Sequence, residues 1–225
     1  MLKVNRLFYG ISFLIFACGV YQQREVSAQQ PSRQADPLKF YTSCQFEDEL
    51  EVVKIDHIVK KKNQPRAVKT ATGEKEISRI GSYRVMVQYP KADYFFANIR
   101  PEKSLPERYA TDKEAALEGL KHSVASAKFM ETGEPVSGIY NGFEVYKSNR
   151  TVIEIYDEKG AKVREVNTIG MDILFSDTDQ TITTVYYFNT RTPKNRRFQT
   201  VAEWRVLRER FLNQYTRCIN SNSGR

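Results

Sequence analysis

Only two histidines and three cysteines occur among 225 residues, and that scarcity removes much chemistry at once. No Cys/His cluster has the spacing of a zinc site. His57 stands beside Asp56 in "KIDHIV", but neighbours on a strand point to opposite faces, so the acid cannot orient the imidazole. His122 falls about 200° around a predicted helix from Leu120, on the side expected to face water. No G-x-S-x-G is present to supply a nucleophile elbow, and neither G-x-G-x-x-G nor a Walker pattern is present to cradle phosphates. Asp177 and Asp179 imitate the start of a calcium loop, yet the glycine and the distal glutamate are missing, and a turn accounts for both residues. Glu47, Asp48, Glu49 and Glu51 place three carboxylates on one face of an extended segment, which reads as solvated surface. The sequence therefore predicts no catalytic, cofactor-binding or metal-binding residues. Its leading functional reading is a non-enzymatic binding or envelope-assembly module. The alternative is a hydrolase-type enzyme built from dispersed carboxylates and tyrosines, which motif reading does not detect.

No apolar run is long enough to span a bilayer. The greasiest stretch, "LFYGISFLIFACGV", has 14 residues and no charge, against about 20 for a transmembrane helix. It follows Lys3 and Arg6 and precedes "YQQREVSAQQ", where Val26 and Ala28 are small residues at the minus-three and minus-one positions of a cut between Ala28 and Gln29. This predicts a signal peptide over 1–28 and an exported chain, periplasmic or secreted, whose mature form has no transmembrane segment. Ile15, Phe16, Ala17 and Cys18 resemble a bacterial lipoprotein processing site, with a bulky Phe16 where a small residue belongs. A lipoprotein anchored through Cys18 is the corresponding alternative.

After such a cut the chain has the size of one ordinary domain. Its 13 tyrosines and 13 phenylalanines exclude a disordered polymer. Net charge is +8 overall; Lys3, Arg6, Arg24 and Glu25 of the leader contribute +2, which leaves +6. The positive residues cluster in two predicted loops. One holds Lys60, Lys61, Lys62, Arg66 and Lys69. The other holds Arg191, Lys194, Arg196 and Arg197. Solvated loops account for both clusters most simply. Without interleaved aromatics for base stacking, nucleic acid is not the expected partner; an anionic envelope surface or polymer is the partner that fits export better. Asn149-Arg150-Thr151 matches the N-glycosylation acceptor pattern.

Along the chain, "QQPSRQADP" (29–37) reads as a flexible tether. The segment 38–59 reads as extended, with Phe40, Cys44 and Phe46 sharing one face. Residues 60–76 read as a long loop or exposed hairpin. In "SYRVMVQYP" the positions Tyr83, Val85, Val87 and Tyr89 alternate as a strand should. The stretch 91–110, with two prolines, reads as an irregular crossing. Thr111 and Glu114 suggest a capping box opening a helix whose stripe is Ala116, Leu117, Leu120, Val124 and Ala127. Asn141-Gly142 marks a tight hairpin. Three or four further strands follow, punctuated by Glu158-Lys159-Gly160 and by Asp177-Thr178-Asp179. "TITTVYYF" is apolar on both parities, as in a central strand covered on both faces. Thr200 and Glu203 form a second capping box, opening a helix with Val201, Trp204, Arg208, Phe211, Tyr215 and Cys218 on one stripe, widened by Leu207 and Leu212. Arg208 within that stripe is expected to snorkel or pair.

These elements predict an α+β fold: an antiparallel meander sheet packed by two helices, about 111–130 and 200–219, in one domain over 38–220 with a disordered tail at 221–225. The order strand, helix, hairpin meander, C-terminal helix between Ser82 and Cys218 loosely resembles the layout of Mog1/PsbP-like proteins. That group includes nuclear-transport, photosystem and bacterial lipoprotein members, so the resemblance implies a fold and no single function. Finally, if Cys18 leaves with the leader, two cysteines remain, and both lie on inward faces. Cys44 and Cys218 are therefore expected to form a disulfide.

The leader makes one prediction directly. Intact mass spectrometry of protein from its native host is expected to give a chain starting at Gln29 without an acyl group; a mass matching an acylated Cys18 terminus would refute it.

Overall fold

The computed structural model describes residues 36 to 224 apart from 37, 47–49, 59–63, 91, 93–94, 126–134, 150–152, 157–161, 167, 189–197 and 199. The leader, the cleavage site, Lys60 to Lys62 and the basic segment 191–197 lie outside the described residues, as do Glu47 to Glu49 and Glu158-Lys159-Gly160.

The elements are α1 (Lys39–Thr42), β1 (Glu51–His57), β2 (Arg66–Thr70), β3 (Gly73–Ile77), β4 (Gly81–Gln88), β5 (Ala97–Lys103), α2 (Tyr109–Ala125), β6 (Val136–Tyr140), β7 (Phe143–Asn149), β8 (Ile153–Tyr156), β9 (Lys162–Val166), β10 (Thr168–Ser176), β11 (Thr181–Phe188) and α3 (Val201–Ser223). Seven strands form one sheet in the order β1-β4-β5-β11-β10-β7-β6, and every neighbouring pair is antiparallel. The hairpins β2–β3 and β8–β9 are separate two-stranded sheets. The fold is α+β, as composition and turn chemistry predict.

Strand periodicity sorts side chains onto two faces. Val85, Val87, Ile99, Val145, Leu174, Val185 and Tyr187 point to the face covered by α3 and α1, where they join Tyr41, Phe96, Phe143, Trp204, Phe211 and Tyr215 in the larger core. The alternate positions Met171, Ile173, Phe175 and Ile182 point to the other face and pack beneath Ala115, Ala116 and Leu120 of α2. The two helices thus take opposite faces of one sheet. β11 lies at its centre, and its first five residues are all buried, which is why its sequence shows no single-face alternation.

Four sequence expectations give way. Residues 91–110 were expected to cross irregularly, but Ala97–Lys103 is the interior strand β5. Proline lacks a donor and is normally excluded from interior strands. Here the β4–β5 bridge pairs run through Ser82↔Glu102 and Val85↔Ile99, and the position opposite Pro101 is not among them. The first extended segment instead opens with the helical turn α1, so Leu38 and Tyr41 are buried where strand parity favoured Phe40. The Thr111–Glu114 box is not the start of α2; a 3-10 turn with Pro106 at its head runs into Tyr109 and sets the helix two residues earlier. Thr200 does cap α3: its hydroxyl accepts from the Glu203 amide at 3.2 Å. At its far end α3 continues to Ser223, through most of the stretch read as a tail. Gly224 stops it in the left-handed conformation, φ 74°. Asn141 and Gly142, both at positive φ, make the β6–β7 turn.

Two bonds fix α3. Cys44 and Cys218 form a disulfide with Cα atoms 5.7 Å apart, 174 residues apart in sequence. The Arg208 guanidinium, almost wholly buried, pairs with the fully buried Asp172 carboxylate of β10. Tyr187 donates to Asp172 at 2.8 Å, and burial together with that carboxylate drives its hydroxyl far above the usual tyrosine range. Arg208 also lies over the Trp204 ring, 4.8 Å from its centroid. Gly170 makes room for that indole: a Cβ there would collide with the Trp204 ring.

Closing a loop this long restricts the unfolded chain by up to about 5 kcal/mol. The oxidised protein is expected to show no titratable thiol in denaturant among these two cysteines, and Cys44→Ser/Cys218→Ser to melt well below wild type; two free thiols in protein from an oxidising compartment would contradict this. For the ion pair, Arg208→Met alone is expected to cost about 3–5 kcal/mol because Asp172 is left charged and buried, while Arg208→Met/Asp172→Leu recovers most of the loss. Equal losses in the single and double variants, measured by denaturant unfolding, would show that packing rather than charge is at stake.

Candidate functional site

Hairpin β2–β3 leaves the main sheet and folds up beside α2. Its base is held by Glu102 of β5, 2 % exposed, which accepts from Arg66 Nε at 2.8 Å and faces Arg79 Nη1 at 3.3 Å. Its flank is tied to the helix by Lys75 and Glu118 at 2.7 Å. Where β3 ends, the buried Asp112 of α2 accepts from the Ser78 amide at 3.2 Å and from the Ser78 hydroxyl. Helix and hairpin meet at Gly119: a Cβ built there would be in ordinary contact with Val68 Cβ, at 3.4 Å.

Between hairpin, helix and sheet lies a cavity of about 320 Å³, the lower end of the range for small-ligand sites. Its floor is Met171 and Ile173 of β10 with Thr184 and Tyr186 of β11; Ala116, Gly119 and Leu120 of α2 and Val68 of β2 make the walls. Arg66, Lys69, His122 and Ser123 also line it, and no aspartate or glutamate does. The chamber is apolar with a cationic and hydroxyl rim. Beside it, the Arg100 guanidinium of β5 stacks on Tyr186, 5.3 Å from the ring centroid.

The sequence-predicted residues fall out unevenly. Arg66 and Lys69, two of the five in the first basic cluster, do reach this site. His122, expected on the water side of its helix, is half-buried and lines the cavity; the hairpin gives α2 a second flank that a one-sided helix would lack. His57 instead lies against Tyr83, with ring centroids 4.8 Å apart, and Asp56 pairs with Lys54 at 3.0 Å. Asp177 and Asp179 are structural: Tyr109 donates to Asp177 at 2.9 Å, and Tyr41 to Asp179 at 2.7 Å. Among the described residues no cluster of His, Cys, Asp and Glu could hold a metal ion.

Sequence reasoning missed the sheet-borne part of the site. Thr184 and Tyr186 read only as strand residues, and Arg100 sat in the stretch taken for a crossing. The signal that could have found the polar face is parity: in "SYRVMVQYP", Arg84 falls on the side opposite Tyr83 and Val85. No family model, curated protein or solved structure matches this chain.

Proposed function

We propose that this chain is an exported, non-enzymatic binding module that takes a small anionic ligand into the cavity beside α2. One observation carries the reading: an apolar chamber whose charged lining is cationic, with no lining carboxylate. Such a site favours a ligand with an apolar body and a negative group. In an exported protein the natural source is an anionic component of the envelope. Export itself is supported by the leader pattern and by the Cys44–Cys218 bond, which belongs in an oxidising compartment. Among the described residues no helix is long and apolar enough to cross a membrane.

The enzyme alternative asks for carboxylates free to exchange protons. Those nearest tyrosines are engaged instead. Lys113 bridges Glu144 at 2.6 Å and Asp177 at 3.1 Å, and its hydrogen bonds, joined by those of Tyr146 and Tyr109, hold both acids below the usual carboxylate range. Such groups stay ionised and paired at neutral pH, which suits a strut better than a general acid.

Decanoate is a suitable probe, having an apolar chain and one carboxylate. It is expected to raise the melting temperature of the mature protein, by about 2.7 kcal/mol of added stability at a hundred times its dissociation constant. The effect should shrink with salt and weaken several-fold in Lys69→Glu. Ser123→Trp, which places an indole at the cavity wall, should abolish it. A Ser123→Trp protein that responds like wild type would remove the cavity from the proposal.

A further inference from the structure

Strands β4 and β5 pair at Ser82↔Glu102 and at Val85↔Ile99, and the same register sets Arg84 opposite Arg100. Val85 and Ile99 are buried on the α3 side, so both arginines point to the face that carries the cavity. Like charges directly opposite one another across two strands work against the sheet. Both are half-buried, and each Nε is shielded from solvent with no acceptor. The neighbouring acids are engaged. Glu102 is held by Arg66 and Arg79, and Asp56, across from Arg84 on β1, pairs with Lys54. Asn98, two residues before Arg100 and on the same face, has a buried Oδ1 that is also unbonded. Burial first, then Arg84 and Arg66, lower the Arg100 pKa against the opposing pull of Tyr186 and Glu102. A buried donor without an acceptor is costly to keep. Two of them face to face, on a surface already short of negative charge, describe a place built for an oxyanion.

The geometry points to a two-arginine clamp: Arg84 and Arg100 together grip the carboxylate or phosphate head of an amphiphilic ligand whose apolar body lies in the neighbouring cavity. This rests on the cavity reading above and names the chemistry of its ligand. Guanidinium forks match the flat edge of a carboxylate and two oxygens of a phosphate. Continuity with the cavity follows from the sheet. Arg100 pairs with Thr184 and Thr184 with Ile173, so Arg84, Arg100, Thr184 and Ile173 form one row. With strands about 4.8 Å apart, the midpoint of the arginine pair is about 10 Å from the Thr184–Ile173 floor, within reach of a medium-length acyl chain. The Arg100 guanidinium on Tyr186 marks the passage between the two halves.

The test is calorimetric titration of the oxidised mature chain with decanoate, decyl phosphate, decanol and inorganic phosphate. Wild type is expected to bind the two charged amphiphiles at least about tenfold tighter than decanol, and inorganic phosphate more weakly than decyl phosphate. In Arg84→Met/Arg100→Met the charged head should lose its advantage while decanol affinity stays. That variant should melt at or above the wild-type temperature, because the facing charges are gone. Arg84→Lys/Arg100→Lys, which keeps charge without the fork, should fall between and serves if the methionine variant does not fold. A wild type that treats decanoate and decanol alike, or a methionine variant that keeps the head preference, overturns the clamp and leaves the cavity reading standing. A methionine variant that melts lower, together with a lysine variant that binds decanoate no tighter than decanol, makes the arginines structural and overturns the clamp as well. Inorganic phosphate binding as tightly as decyl phosphate removes the apolar half of the ligand. Failure of every amphiphile to bind wild type overturns clamp and cavity together.

Discussion

Everything on the α3 side of the sheet depends on where one guanidinium sits. Arg208 lies in the middle of an apolar helix face, and the Asp172 carboxylate it meets is wholly enclosed. Two charges so placed tolerate little misalignment, since either one left alone would be a large cost. The pair therefore fixes both the rotation and the height of α3 on β10. Given that setting, Trp204 lands over Gly170, Phe211, Phe46 and Tyr215 stack on one another, and Cys218 arrives beside Cys44. Hydrophobic contact alone would hold the helix on the sheet; the ion pair selects one position among the near-equivalent ones.

The two faces of the sheet serve different ends. The α3 face is closed by a network of large aromatics, Tyr187, Phe96, Phe211 and Tyr215, and is finished as a core. The α2 face is closed only over β7, β10 and β11, by a helix that meets the sheet largely through alanines. Small side chains such as Ala116 and Gly119 bring the helix close without filling the space below it, and the hairpin covers one side only. The cavity and the arginine row occupy what that incomplete cover leaves. A rigid, fully packed face behind a partly open one is a sound basis for a preorganised site.

Much of the fold was legible in the residues, because the determining signals were local. Thr200 and Glu203 place the start of α3, Asn141-Gly142 places a hairpin, and the double-sided apolarity of "TITTVYYF" places β11 at the centre. The Cys44–Cys218 pairing followed from counting and facing. What failed was also physical. Pro101 argued against an interior strand because local propensity cannot know that β4 leaves that position outside its bridge pairs while β11 matches it through Thr183. Leu38 and Tyr41 read as strand residues because a single helical turn has no period to detect. The candidate site was barely legible. Arg66, Arg84, Arg100, His122 and Tyr186 are scattered over more than a hundred residues, and only strand register and the fold-back of a hairpin bring them together. Basic runs such as Lys60-Lys61-Lys62 attract the eye in a sequence; isolated arginines on alternating strands do not.

The bond between Cys44 and Cys218 has a mechanical meaning. All the described strands lie between those two cysteines. Tension applied to the chain outside them runs from one sulfur to the other and bypasses the strands entirely. No hydrogen bond of the sheet is loaded, and the extension available is that of the flanking segments alone. While oxidised, the domain behaves under force as a short inextensible link. A reductant turns it into a spring whose slack is the whole enclosed chain.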